Sequence, residues 1–323
     1  MPKPIVYITR KLPKDGLEDL YKHCQVKMHS SQNPPSRKQL LSYAKKADAL
    51  ISVLTEKIDK EVFDVGPNIK IVANYAIGFD NIDLKAAKLA GVPASNTPSN
   101  LAANAVAQHA MAVILTIARK LPEADKFVKA GKYQSWDPAL LLGDDMNNKT
   151  LGIVGSGRIG SSLASIAFKG YDMDILYFDV IRNKDLEKKY KAKKVNLNQL
   201  LKNSDYVSLH VPLLPSTKHL IGSKELSQMK DSAILINTSR GPVVDEKALV
   251  KALKSNKILG AGIDVFEFEP KLAPGLSRLS NAILTPHIAS ATHASRREMG
   301  EMATQNVLDV LIRGKRPSYE VKI

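Results

Sequence analysis

The amino-acid sequence predicts an α/β protein whose parallel sheets are covered by helices. Three observations carry that expectation. The chain has 323 residues, which is room for two domains of ordinary size. Short β-branched runs alternate with helical patterns along most of it, as in successive βαβ units. One glycine-rich turn, GSGRIG at 155–160, stands between an apolar strand pattern and a helical one.

Composition agrees with a folded chain that has a real core, at 44% hydrophobic and 24% charged residues. No uninterrupted run approaches the ~18 apolar residues of a membrane span. The opening MPKPIVYITRKLP lacks the basic, apolar and small-residue order of a signal peptide. The one cysteine, Cys24, excludes an internal disulfide and fits a reducing, cytoplasmic setting. The net charge of +15, from 47 Lys and Arg against 32 Asp and Glu, is spread along the chain. Aromatic residues make up 6% and do not interleave with basic clusters such as KKYKAKK at 188–194. That pattern argues against nucleic acid, although a positive surface would draw in small anions.

In order along the chain, strands are expected at 5–8, 49–53, 69–73 and 92–95, and helices at 14–23, 59–65 and 84–90. The segment LAANAVAQHAMAVILTIARK at 101–120 is nearly free of charge. A helix apolar on almost every side has to be buried, between domains or against another subunit, so it reads as the join between two domains. A polar stretch is expected from there to Lys149. A second alternating series then places strands at 151–154, 174–178, 205–211, 233–237, 259–264 and 282–285. Helices are expected at 161–169, 245–254 and 294–313.

The glycines of that turn each have a physical reason. Gly155 permits the tight turn, Gly157 lets a pyrophosphate approach the backbone, and Gly160 lets helix and strand pack closely. The N–H groups that open the helix would face the phosphate charge. Asp179 ends the next strand, 19 residues past Gly160, where a carboxylate accepts hydrogen bonds from a ribose and repels a 2′-phosphate. NAD(H) is therefore favoured over NADP(H). Arg182 supports the opposite reading, because a guanidinium there is able to receive that phosphate.

Three patches pair a charged residue with a strand end: Arg240 in NTSRGPVVDE, Asp264, Glu267 and Glu269 in GIDVFEFEP, and His287 in TPHIAS. Ligands of open parallel sheets bind beyond the carboxyl ends of the strands. Taken singly, Arg240 reads equally as a surface or capping residue, Glu269 as part of a solvated loop, and His287 as a core histidine. Together they supply a cation for a carboxylate, a proton donor and a group to orient that donor. His210, in SLHVP, lines a cofactor site or is a core or loop histidine. No HExxH or close His/Cys cluster occurs, so no metal is expected, and no GxSxG elbow suggests covalent hydrolysis.

These motifs, with ANYAIGFDNIDLKAA at 73–87, AVAQHA at 105–110 and AGKYQSWDP at 130–138, resemble the D-isomer-specific 2-hydroxyacid dehydrogenases across nearly the whole chain. The resemblance implies hydride-transfer reduction of a small 2-keto acid such as glyoxylate or hydroxypyruvate. A dehydrogenase of D-lactate or 3-phosphoglycerate, or a dinucleotide-sensing binding protein, stands as the alternative. His287 would be the general acid, Glu269 its orienting partner, and Arg240 the carboxylate ligand. Asp264 would meet the nicotinamide carboxamide. Arg158, Ile159, Val180, Ile181, Arg182, His210, Pro212, Thr238, Ser239, Arg240, His287 and Val106 would line the cofactor, and Leu54, Ile77 and Gly78, with Arg240 and His287, the substrate. The resemblance also implies a Rossmann domain at 99–289 and a flavodoxin-like substrate domain from 1–98 and 290–323. It implies a homodimer formed through the nucleotide-binding domains. Ser156 stands where many relatives carry Gly or Leu; serine is small, so no loss of binding is expected.

Overall fold

A computed structural model describes residues 2–31 and 33–321. Met1, Gln32, Lys322 and Ile323, which fall within the segments expected to form the substrate domain, lie outside the described residues. The chain forms two compact units, one from Met1–Ala102 with Ala291–Ile323 and the other from Ala103–Ser290.

The first unit begins with β1 (Ile5–Ile8), α1 (Glu18–His23), β2 (Gln25–Met28), α2 (Arg37–Ala44) and β3 (Ala49–Ser52). It continues through α3 (Lys60–Val65), β4 (Ile71–Asn74), α4 (Leu84–Leu89) and β5 (Ala94–Ser95). Its sheet is parallel, in the order β2-β1-β3-β4-β5, which is the flavodoxin-like arrangement. β3 and β4 are buried at every position and apolar up to their last residues, Ser52 and Asn74, as suits strands covered on both faces. Sequence pattern placed the first helix from residue 14, but it starts at Glu18. Gly16 takes φ +87° and Leu17 N–H closes a turn on the Lys14 carbonyl, so the preceding residues are not helical. β2 went unread because it is an edge strand with alternate residues exposed.

The chain passes between the units within α5 (Asn100–Ala118), which α6 (Leu121–Lys129) follows. α6 lies where a polar stretch was expected. It buries no residue within this chain, and its apolar Leu121 and Val128 are exposed, so the nine residues stand among charged neighbours without a core contact to mark them. α5 is also long and apolar enough to cross a membrane by composition, with 56% of that window buried. Asn104, Gln108 and His109 interrupt its apolar run. Ala107, Ala110, Met111, Ile114 and Ala118 pack with Leu163, Ala164 and Tyr177 in one core of the second unit.

That unit holds β6 (Thr150–Val154), α7 (Arg158–Tyr171), β7 (Asp174–Phe178), α8 (Lys184–Tyr190), β8 (Lys193–Lys194), α9 (Leu197–Asn203) and β9 (Tyr206–Leu209). After these come α10 (Ser223–Gln228), β10 (Ile234–Asn237), α11 (Glu246–Lys254), β11 (Gly260–Ile263) and β12 (Ala282–Leu284). The sheet is parallel, in the order β12-β11-β10-β9-β6-β7-β8. Strand order reverses at β6, leaving a crevice beside it as in doubly wound dinucleotide-binding folds. On the face opposite α5, Leu200, Leu226, Leu249 and Leu253 close a second core. The last element, α12 (His293–Leu311), returns to the first unit and packs Met299, Ala303 and Val307 on its sheet.

Candidate active site

Register brings the candidate residues of the second unit to one edge. Val154 pairs with both Phe178 and Leu209, Leu209 with Asn237, Asn237 with Ile263, and Ile263 with Leu284. Six strands therefore end level, about 4.8 Å apart. The residues that follow them, Asp179, Gly155, His210, Thr238, Asp264 and Thr285, form a row along the carboxyl edge.

At the crevice, Gly155 turns the chain at φ +97°, and a Cβ there would lie 2.5 Å from the His210 carbonyl oxygen. A Cβ on Gly160 would run into the Gly155 carbonyl, whereas one on Gly157 would meet open space. The turn thus excludes side chains on its inner side and leaves its outer side clear for a ligand's backbone approach. Gly157 caps α7, and Arg158 and Ile159 begin its first turn. Asp179 accepts hydrogen bonds from Ser156 N–H at 2.7 Å, Ser156 Oγ at 3.0 Å and Ile181 N–H at 3.2 Å. Burial pushes its carboxyl up, but these donors outweigh that effect and hold it below the usual carboxylate range. Ser156, expected only to do no harm, helps to aim this acid. Val180 and Ile181 are exposed beside it.

Two buried polar atoms along the row lack a partner in the protein, His210 Nδ1 and Thr238 Oγ1. His210 is only partly buried as a residue, yet this nitrogen is shut away from water, and Ser208 Oγ engages the other at 2.9 Å. An unpaired buried polar atom is costly, and a ligand with hydroxyl or amide groups would satisfy both. With the clear face of Gly157, they show that these residues fit a dinucleotide. Pro212 stands two residues after His210, and Ser239 directly after Thr238.

Burial depresses the His210 ring to about 3. A depressed histidine contributes stability that is complete above its unfolded value near 6.5 and is lost as pH falls toward the folded value. Unfolding measured from pH 8 down to pH 4 should therefore show wild type losing stability faster than His210→Gln below about pH 6.5. Above that pH the two curves should run parallel.

Asp264, directly after β11, is 2% exposed. Its Oδ1 accepts from Thr285 Oγ at 2.6 Å and Ile288 N–H at 2.9 Å, and its Oδ2 from Ala289 N–H at 2.9 Å. The carboxylate braces the turn that carries His287, and His287 N–H donates to the Asp264 carbonyl at 2.8 Å. His287 is held at φ +54°, a conformation of appreciable cost for a residue with a Cβ. Its Nδ1 lies 3.1 Å from Glu269 Oε2. Burial raises the Glu269 carboxyl, but the hydrogen bond and charge of His287, Phe266 N–H and the Arg240 charge together pull it below its ordinary value. Arg240 follows β10 on a turn pinned by buried Asn237, whose Nδ2 donates to the Arg240 carbonyl at 3.0 Å. Asn237 Oδ1 accepts from Ser239 Oγ at 2.8 Å.

Sequence reasoning missed the supports. Glu246, 2% exposed, accepts from Glu267 N–H at 2.6 Å and Ala273 N–H at 3.1 Å, tying the loop of Glu269 to α11. Glu267, grouped with Glu269 in sequence, instead meets His219 Nε2 at 2.7 Å. His109 of α5 reaches Thr285 Oγ at 3.2 Å. Gly241 lies against the Glu269 loop, and a Cβ there would overlap the backbone of Phe266. Gly241→Ala should shift the Glu269 loop, lowering stability by about 1–3 kcal/mol and reducing kcat. Thermal melts and initial rates check both.

Val106 is a buried residue of α5. In the first unit, Leu54 follows β3, and Ile77 and Gly78 follow β4. Asn74 Nδ2 donates to the Gly78 carbonyl at 2.8 Å and Asn96 Nδ2 to that of Ile77 at 2.6 Å, which fixes this turn. Among the described residues, no three His, Cys, Asp or Glu side chains gather as a metal site requires.

A doubly wound sheet with a glycine turn at its reversal point and an acid–histidine pair on the same edge defines a dinucleotide-dependent dehydrogenase. The family model for the NAD-binding domain of D-isomer-specific 2-hydroxyacid dehydrogenases matches residues 111–289. A glyoxylate reductase of Korarchaeum cryptofilum is 48% identical over 309 residues, 95% of this chain and 92% of that protein. The crystal structure of a glyoxylate reductase from Paecilomyes thermophila superposes with a TM-score of 0.86 at 32% identity, covering 99% of both chains. A D-lactate dehydrogenase from Aquifex aeolicus, complexed with NAD and lactic acid, gives 0.83 at 30% identity over 96% of this chain and 98% of that one. The chain belongs to the D-isomer-specific 2-hydroxyacid dehydrogenase family.

Proposed function

We propose that this enzyme reduces a small 2-keto acid, glyoxylate or hydroxypyruvate, to the 2-hydroxy acid, with NADH preferred to NADPH. The observation that carries the reading is the His287–Glu269 pair at 3.1 Å, in loops beyond the same sheet edge as Arg240 and the glycine turn. The names of the relatives support the choice of substrate.

The glycine turn, Asp179, His210 and Thr238 would hold the dinucleotide, with Val106, Pro212, Ser239 and Asp264 around it. When bound, its nicotinamide supplies the hydride. Glu269 occupies His287 Nδ1 and so selects Nε2 as the nitrogen that donates a proton to the substrate oxygen. Arg240 binds the carboxylate as a planar fork and offsets charge developing on the reduced oxygen. In the first unit, the same reading gives Leu54, Ile77 and Gly78 to substrate binding, on the strength of their place at the carboxyl edge of that sheet. Leu121, Val128, Tyr133, Trp136 and Leu142, all exposed apolar residues of the second unit, support a homodimer through it. Cys24 is a buried free thiol raised to about 11 by burial, in keeping with a cytoplasmic enzyme.

Oxidation of NADH and of NADPH with a panel of 2-keto acids tests the proposal. Fastest turnover is expected with glyoxylate or hydroxypyruvate. Tight dinucleotide binding without turnover on any acid would instead mark a sensor.

A further inference from the structure

We infer that Glu187, at the start of α8, sets cofactor selectivity by occupying the Arg182 guanidinium, which would otherwise receive a ribose 2′-phosphate. The inference rests on the reading above that a dinucleotide lies at the glycine turn with its ribose toward Asp179. Arg182 stands three residues beyond that acid. Its Nε donates to both Glu187 oxygens at 3.0 Å, and its Nη2 donates to Oε2 at 2.9 Å.

Most exposed ion pairs are mobile and contribute little. This one is anchored from beneath. Tyr177, on β7, is fully buried, and its hydroxyl donates to Glu187 Oε1 at 2.6 Å while accepting Asn183 N–H at 3.0 Å. Asn183 in turn donates through Nδ2 to the Ser156 carbonyl at 2.7 Å, tying the assembly to the glycine turn. The Glu187 side chain is 20% exposed against 65% for Arg182, so the carboxylate is the fixed partner and the arginine the one it captures.

Two more cations border this patch. Lys193 and Lys194 line the same depression as Arg182 and Glu187, and Lys194 Nζ donates to the Val180 carbonyl at 3.3 Å. A basic surface suited to a phosphate therefore lies next to Asp179, and Glu187 keeps its planar fork engaged. Asp179 alone would repel a 2′-phosphate. Glu187 adds a second check by withholding the strongest ligand that phosphate would have.

The test compares kcat/KM for NADPH and NADH with glyoxylate as substrate. Glu187→Gln keeps the shape and a hydrogen-bond acceptor but removes the charge that grips Arg182. It should raise the NADPH:NADH ratio by about tenfold, the scale of one charge-assisted hydrogen bond. Tyr177→Phe, which loosens Glu187 without removing it, should give a smaller rise in the same direction. Adding Arg182→Ala to Glu187→Gln should abolish the gain. An unchanged ratio in Glu187→Gln, or a gain that survives in the double variant, overturns the inference. Calorimetric titration of NADH into wild type separates the two levels. NADH binding with an unmoved ratio sinks only the role of Glu187, whereas no dinucleotide binding sinks the cofactor reading and this inference together.

Discussion

His287→Ala should lower kcat for glyoxylate reduction by about 10²-fold or more, the usual loss when a general acid is removed. Affinity for NADH, measured by titration, should hold, because the loss falls on the proton transfer. The backbone at this position is at φ +54°, so alanine changes both the chemistry and the local strain. His287→Asn separates the two, since asparagine tolerates the left-handed region better than other residues with a side chain, and it should be equally inactive. If either variant retains more than about a tenth of wild-type kcat, His287 is not the proton donor. Glu269→Gln should be milder. Glutamine still offers an acceptor to the ring Nδ1 but loses the charge that strengthens the bond, so kcat should fall by less than in His287→Ala.

Arg240→Lys should reduce kcat/KM for the keto acid by about 10²–10³-fold, or roughly 3–4 kcal/mol, from losing two parallel charge-assisted hydrogen bonds. Lysine keeps the charge but lacks the fork, so charge alone should not rescue the enzyme. The turn beneath Arg240 is pinned by Asn237 through its carbonyl, a contact that does not depend on the side chain. The substitution should therefore leave thermal stability close to wild type. A loss below about threefold would show that the guanidinium does not touch the substrate.

Much of this site was readable as local pattern. β-branched runs named nearly every strand of the second unit, and strand ends are where a parallel sheet presents its ligands, so Gly155, Asp179, Arg240, Asp264 and His287 stood out. What escaped notice has specific causes. α6 is nine residues long and leaves its apolar Leu121 and Val128 exposed, and β2 is an edge strand with alternate residues exposed, so neither is joined to the buried core by which elements are recognised. β8 was read as part of a basic cluster. Lys193 and Lys194 pair with Leu176 and Tyr177, and two lysines on a sheet edge have no distinguishing pattern. Glu246, His109 and Glu187 are polar residues whose roles arise from partners distant in sequence or held by a buried neighbour, and Asn237 acts through the fold of its own turn.

The sequence by itself determined the alternation of strands and helices, the glycine turn and the types of side chain available for hydride and proton chemistry. All of these depend on short-range backbone preferences and on a period that can be counted. Only the tertiary structure decided that six strand ends lie level, that Asp264 braces the turn of His287 while Glu269 takes its Nδ1, and that Glu187 holds Arg182. Parallel pairing joins segments separated by long crossovers, and register is chosen by the whole packed sheet, so no local window of residues contains that information.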